Sequence, residues 1–265
     1  MKNLLTLLLL TAAMVSHAQE SFFRGNNNYV KPPGPPSLVA AGLVLNLDAG
    51  DASSYPGNGN TWNDLSGSNH GTLVNGPTYN SGNGGSIVFD GIDDVVSLGN
   101  VLNMGLNSWT ISCWVKFDGG TSGLMGIIGK TSYRPYYGRY AIYIDNNNLV
   151  AFCQPAAGNM IVSTPLAPYL DNNFHNLVVT INRTSVITFY IDGISVGTPY
   201  DISNTSTANP ISSDNFYIGS YASNTGQSPL YFFKGSIGQA LIYNRALSPT
   251  EVTNNFNVSK ARYGL

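Results

Sequence analysis

The nine residues "WTISCWVKF", 109–117, set Trp109, Ile111, Cys113, Val115 and Phe117 on one side of an extended chain. Thr110, Ser112, Trp114 and Lys116 fall on the other. Alternation with a period of two is the pattern of a strand with one face in a core, not of an amphipathic helix. The same style of segment recurs as "GLVLNLDAG", "SIVFDG", "VVSLGN", "YAIYID", "LVAFCQ", "HNLVVTIN", "VITFYID" and "IGQALIYN". Turn residues punctuate these runs at short intervals. Asp192-Gly193 is a tight-hairpin signal, because glycine accepts the positive φ such a turn needs. "DNNN" at 145–148 predicts a second tip. About a dozen short antiparallel strands in one unit predict an all-β sandwich or jelly roll.

One helix is expected, at the end of the chain. In "ALSPTEVTNNFNV", Ser248 suits the N-cap, Pro249 the first helical position, and Glu251 completes a Ser-x-x-Glu capping box. Val252 and Phe256, four apart, would dock on the sheet.

The first residues stand outside this pattern. Lys2, the apolar run Leu4–Val15 and the small-x-small site Ser16-His17-Ala18 predict a signal peptide over 1–18. The apolar run falls short of the roughly 20 residues that span a bilayer, and no later segment is apolar enough to do so. The expectation is an exported, secreted protein, free or associated with a cell surface. Residues 19–37, with prolines at 32, 33, 35 and 36, read as a semi-rigid arm or linker. The folded domain is then 38–265.

Charged residues make up 10% of the chain and the net charge is −2, with no basic run, so nucleic acid is excluded as a partner. Cys113 and Cys153 are the only cysteines. In an exported protein they either pair as a disulfide or stay as buried thiols, and sequence leaves both open.

Five segments together resemble the laminin G-like (LamG/pentraxin, concanavalin A-like lectin/glucanase) jelly-roll domains. They are "DLSGSNHGTLVNGPTY", "GSIVFDGIDDVVSLGN", "WTISCWVKF", "FHNLVVTINRTSVITFYIDGISVG" and "FKGSIGQALIYNRALSPTEV", in the family's order. The resemblance runs from about Leu43 to the C-terminus. It implies a sandwich of two stacked antiparallel sheets with a short C-terminal helix, and a repertoire from sugar binding and adhesion to glycoside hydrolysis. There is one departure. Gly235-Ser236-Ile237-Gly238-Gln239 stands where the family usually has Gly-x-Ile-Asp, so a carboxylate the family often carries is missing.

Catalysis finds little support. The hydrolase branch of this fold uses Glu-x-Asp-x-x-Glu, which sets two carboxylates on one sheet face about 5 Å apart. Beyond the leader this chain has only Glu20 and Glu251, and no two acidic residues are spaced two apart. His70 and His175 have no Gly-x-Ser-x-Gly partner for a triad. His175 is read as a hydrogen-bonding residue at a strand end and His70 as a turn residue. The expectation is a protein without enzymatic activity.

Asp90, Asp93 and Asp94 crowd the reversal between "SIVF" and "VVSLGN". Turn capping is the first reading, because Asp side chains accept from nearby backbone N–H groups and Gly91 supplies the turn's φ. A structural Ca2+ bound there, or near Asp48 and Asp51, is the second. Ligand binding points to exposed aromatics that stack on a sugar ring beside polar groups. The densest stretch is "KTSYRPYYGRY", with Tyr133, Arg134, Tyr136, Tyr137, Arg139 and Tyr140. "SYASNTGQSPLYFF" adds Tyr221, Asn224, Gln227 and Tyr231, and "SYPGNGNTW" adds Tyr55 and Trp62. The leading expectation is a secreted, non-catalytic module binding a glycan or surface polysaccharide, or mediating adhesion. The alternative is a structural or assembly protein of a cell surface or phage virion that meets a protein partner through the N-terminal arm. A glycoside hydrolase is a distant third.

Overall fold

A computed structural model describes residues 36–119, 123–130, 139–154, 160–203, 212–223 and 229–265. The expected signal peptide, and the arm up to residue 35, lie outside the described residues, as do Tyr133, Arg134, Tyr136, Tyr137, Asn224 and Gln227.

In chain order the strands are β1 (Leu43–Asp48), β2 (Thr61–Trp62), β3 (Gly71–Val74), β4 (Thr78–Asn80), β5 (Ser86–Asp90) and β6 (Val95–Gly99). Then come β7 (Trp109–Phe117), β8 (Leu124–Lys130), β9 (Arg139–Asp145), β10 (Asn148–Gln154), β11 (Met160–Pro165) and β12 (Phe174–Ile181). The last are β13 (Val186–Ile191), β14 (Ile194–Asp201), β15 (Phe216–Ile218), β16 (Ala222–Ser223), β17 (Pro229–Leu230) and β18 (Lys234–Tyr243). They form two eight-stranded antiparallel sheets and a small β16–β17 ribbon. The first sheet runs β14-β13-β12-β7-β18-β5-β4, with β1 also paired to β18, and the second β11-β10-β9-β8-β15-β6-β3-β2. The all-β sandwich is the observed fold.

Alternation decides what lies between the sheets. Trp109, Ile111, Cys113, Val115 and Phe117 of β7 are all buried in the central core. Ile142 and Ile144 of β9 and Leu149 and Ala151 of β10 meet them from the second sheet. Cys113 and Cys153 also face this core, and both are free thiols. The disulfide does not form. Cys113 sits on β7 and Cys153 on β10, in opposite sheets, and stacked sheets lie roughly 10 Å apart, beyond the Cα separation a bridge accepts. Burial pushes the Cys153 thiol up to about 11, against a smaller opposing effect of Arg183, and raises Cys113 as well. Neither thiol is a reactive group.

Both expected hairpin tips form. Asp192 and Gly193 have φ of 52° and 77°, and Asn146 and Asn147 of 46° and 65°. These are the left-handed pairs that type I′ turns require.

The outer face of the first sheet is closed by α1 (Pro249–Ser259). Its capping box is complete: the Ser248 hydroxyl accepts from the Glu251 N–H, and the Glu251 carboxylate from the Ser248 N–H. Val252 packs with Val178, Tyr190 and Leu241, and Phe256 stacks on Trp114. The departure at Gly238 has a steric reason. A Cβ there would lie 2.4 Å from the Tyr263 hydroxyl, so only glycine lets that ring sit flat on β18.

Candidate functional site

The aspartate cluster does what turn chemistry asks of it. Asp90 Oδ1 accepts from the N–H groups of Ile92 (2.7 Å) and Asp93 (3.4 Å), and Asp94 Oδ2 accepts from the Asp90 N–H (2.9 Å). Burial raises Asp94 above the usual carboxylate range, and the nearby charges of Asp90 and Asp93 add to it against the Asp90 N–H. The three carboxylates still offer oxygens within 4.8 Å of one another, which leaves calcium to a binding measurement. Asp48 is committed elsewhere. Its Oδ2 accepts from Arg262 Nη1 and Gln239 Nε2, both at 2.9 Å. Asp51 Oδ1 accepts from the Ser53 N–H.

The histidines take bonding roles. His70 Nδ1 accepts from the Asp64 N–H. His175 is held between two carboxylates, Asp192 Oδ2 2.7 Å from Nδ1 and Asp171 Oδ1 3.1 Å from Nε2. Burial works against the imidazolium, but the hydrogen bonds and charges of Asp192 and Asp171 outweigh it and raise His175 above 6.5. A folded-state value raised above the unfolded one stabilises below pH 6.5, and that contribution fades as pH climbs through the folded value. Asp192→Asn keeps the positive-φ turn, which asparagine tolerates, and removes the charge. It is expected to cost about 1–2 kcal/mol at pH 5.5 and clearly less at pH 8.5 in denaturant titrations. Equal losses at the two pH values would refute a charged His175.

Of the residues singled out for binding, Trp62 is 0% exposed and Tyr55 4% exposed. Both belong to the core, and the Tyr55 hydroxyl donates to the Gly59 carbonyl. Trp62 cannot stack on a ligand because β2 turns it between the sheets. Tyr140 is likewise inward. It packs 4.9 Å from Trp109, and its hydroxyl donates to the Leu102 carbonyl at 2.6 Å.

The others meet on the outer face of the second sheet. Since Tyr140, Ile142 and Ile144 point into the core, Arg139, Ala141 and Tyr143 of β9 point out. Register aligns Ala141 with Phe152 of β10 and Gly129 of β8, and Gly129 with Tyr217 of β15. Two small residues thus lie between two aromatic ones. Tyr221 is laid over this face, 4.1 Å from Tyr143 and 6.3 Å, edge-on, from Phe152. Tyr231 stands 6.0 Å from Tyr221 and is 40% exposed, forming the rim. Burial is the larger effect on the Tyr143 and Tyr221 hydroxyls and raises both above their usual value.

Two backbone features place these rings. At Gly126 the 220–221 backbone crosses directly over the strand, and a Cβ there would lie 1.8 Å from the Tyr221 nitrogen. The Gly126 N–H donates to the Tyr231 carbonyl at 2.8 Å, and Tyr231 is held at φ 52°, a strained value for an aromatic residue. Ser220 closes the loop, its hydroxyl donating to the Leu230 carbonyl and accepting the Leu230 N–H. Phe152, Tyr143 and Gly126 were not among the sequence candidates. The signal for the first two was present, because each lies two or four residues from an outward position on its strand. No local pattern marks Gly126.

Residues 90–253 match the family model described as the concanavalin A-like lectin/glucanases superfamily. The chain belongs to that superfamily. No curated protein matches this superfamily member by sequence. Among solved structures, the Botulinum neurotoxin serotype G binding domain is similar at 15% identity and TM-score 0.61, over 82% of this chain and 51% of that one. The binding domain of Paraclostridial Mosquitocidal Protein 1 is similar at 17% identity and TM-score 0.59, over 82% and 52%. A Trypanosoma rangeli sialidase in complex with sialic acid is similar at 18% identity and TM-score 0.58, over 97% and 40%. The superfamily member thus spans about half or less of these chains, and the likeness establishes the shared lectin/glucanase-like fold.

Proposed function

We propose that this protein is an exported, non-catalytic glycan-binding module whose site is the outer face of β8–β10. The observation that carries the reading is the meeting of Tyr221 and Tyr231 at the surface of the second sheet with Arg139 of β9 nearby. Tyr143 and Phe152, 4% and 5% exposed, form the floor beneath Tyr221 and do not themselves face a ligand. Flat rings with polar tips at the rim suit the apolar face of a sugar, and rigid strands hold them in place. The binding domains among the structural neighbours agree with the reading. Against hydrolysis stands the missing paired-carboxylate motif, with Glu251 committed to Arg245 at 2.7 and 2.9 Å and to the helix cap. Among the described residues, no helix is long and apolar enough to cross a membrane.

The test is a glycan array with the wild type, Tyr221→Ala, Tyr231→Ala and the triple Tyr133→Ala/Tyr136→Ala/Tyr137→Ala protein, each with calcium and with chelator. Loss of a stacking ring is expected to weaken binding roughly tenfold or more, which is about 1.4 kcal/mol or more. Melting temperature should barely change for the exposed Tyr231. Binding to no glycan in any condition would end this reading and turn attention to assembly through the N-terminal arm. Sugar release from a polysaccharide panel would overturn the non-catalytic part. Loss of binding on chelation would reopen the case for calcium at Asp90, Asp93 and Asp94.

A further inference from the structure

Arg139 is buried, at 6% exposure, and among the described residues its Nε and Nη2 have no hydrogen-bond partner. A guanidinium carries five N–H donors, and leaving the three on these two nitrogens buried and unmade is costly. The carboxylate paired with it, Asp214 Oδ2, is 3.8 Å from Nε, outside hydrogen-bonding range. That same oxygen already accepts from the Ser212 hydroxyl at 2.6 Å.

Asp214 also acts on a second buried cation. Lys130, 0% exposed, projects to the core side, where its Nζ donates to Asn100 Oδ1 and the Val101 carbonyl, both uncharged acceptors. Burial lowers Lys130 to about 8, with Asp214 opposing, and lowers Arg139 with Asp214 and Tyr221 opposing. One carboxylate therefore serves two buried cations on adjacent strands. Asp145 in turn acts on Tyr143 and Tyr221, so the charges of this face balance, and the unfilled donors belong to Arg139, whose charge reaches Tyr221.

We propose that Arg139 recognises a carboxylate on the glycan, so that the ligand of this face is an acidic sugar whose ring lies on Tyr221 and Tyr231. The inference rests on the glycan-binding reading above and adds the substrate class. A planar fork of N–H donors matches a carboxylate in both spacing and charge. It also explains an arrangement that is unfavourable in the free protein, since binding residues are commonly kept at a cost to stability.

The experiment is calorimetric titration of the full protein with five probes. These are oligogalacturonate, its methyl ester, a sialylated oligosaccharide with its unsialylated parent, and polyglutamate. Wild type and Arg139→Gln are compared, with melting temperatures for both. The expected result is binding of at least one free acid, with the matching ester or unsialylated parent tenfold or more weaker. Which acid binds tells a uronic from a sialic acid. Arg139→Gln should abolish the preference at an unchanged or higher melting temperature. A structural arginine would instead lower it. Equal binding of acid and neutral partner overturns the proposal and leaves the glycan reading standing, as does a fall of more than about 5 °C in Arg139→Gln. Polyglutamate bound as well as the sugars overturns it in favour of bare charge attraction. Binding of none of these sugars, with a neutral glycan found on the array, overturns the acid class alone. No glycan on either test removes both readings.

Discussion

Trp114→Ala should lower stability by about 3–5 kcal/mol, the largest effect expected of any single substitution outside the central core. Trp114 is on the outer face of β7 and 1% exposed. Its ring stacks on Tyr263 at 4.2 Å and on Phe256 at 5.7 Å, with interplanar angles of 20° and 18°. Its Nε1 donates to the Ser259 hydroxyl at 2.8 Å, which in turn donates to the Asn255 carbonyl. Truncation removes the floor under α1 and the following 3-10 turn (Lys260–Tyr263), and it leaves Tyr263, the ring that covers Gly238, without its stacking partner. Each stacked pair contributes about 0.5–1.5 kcal/mol beyond area burial. For a domain of this size the loss corresponds to a fall of roughly 6–20 °C in melting temperature. Ser259→Ala, which removes only the hydroxyl, should cost about 1 kcal/mol. A Trp114→Ala loss no larger than that of Ser259→Ala would show that the helix is not seated on this ring.

The second large effect is on binding. Gly126→Ala should abolish it, while the melting transition stays cooperative and loses about 1–3 kcal/mol, the usual cost of overpacking. The added methyl would sit 1.8 Å from the Tyr221 nitrogen and 1.9 Å from the Ser220 carbonyl carbon. Both are backbone atoms, so no side chain can rotate away. The 220–221 segment must lift, which breaks the bond from the Gly126 N–H to the Tyr231 carbonyl and separates Tyr221 from Tyr143. Tyr221→Ala is the matched control, since it removes the ring and leaves the crossing intact. Glycan affinity within threefold of wild type in Gly126→Ala would exclude this face as the site.

Much of the fold was legible because its determinants are local. Alternation in "WTISCWVKF" predicted which side of β7 enters the core, and Asp192-Gly193 and "DNNN" predicted the two turns. Ser248, Pro249 and Glu251 predicted the start of α1 to the residue. The candidate site was legible only in fragments. Arg139, Tyr221 and Tyr231 were singled out as members of two aromatic loops, but Tyr140 came with Arg139, and period-two alternation sends adjacent residues to opposite faces. Trp62 looked like a stacking platform and is core, because a two-residue strand preceded by turn residues carries too little pattern to show its inward side.

Dihedral preferences, capping bonds and strand period act over a few residues, and the sequence by itself determined everything that depends on them: the all-β class, the turns, the closing helix and the absence of a paired-carboxylate motif. Separations of tens to hundreds of residues were decided only by the tertiary structure. It keeps Cys113 and Cys153 in opposite sheets, brings Arg262 and Gln239 to Asp48, and passes residues 220–221 over Gly126 so that Tyr221 covers the strand that begins at Arg139. The reason is physical. Which strands become neighbours is settled by burying the whole apolar surface of two sheets at once, and no short stretch of sequence carries that sum.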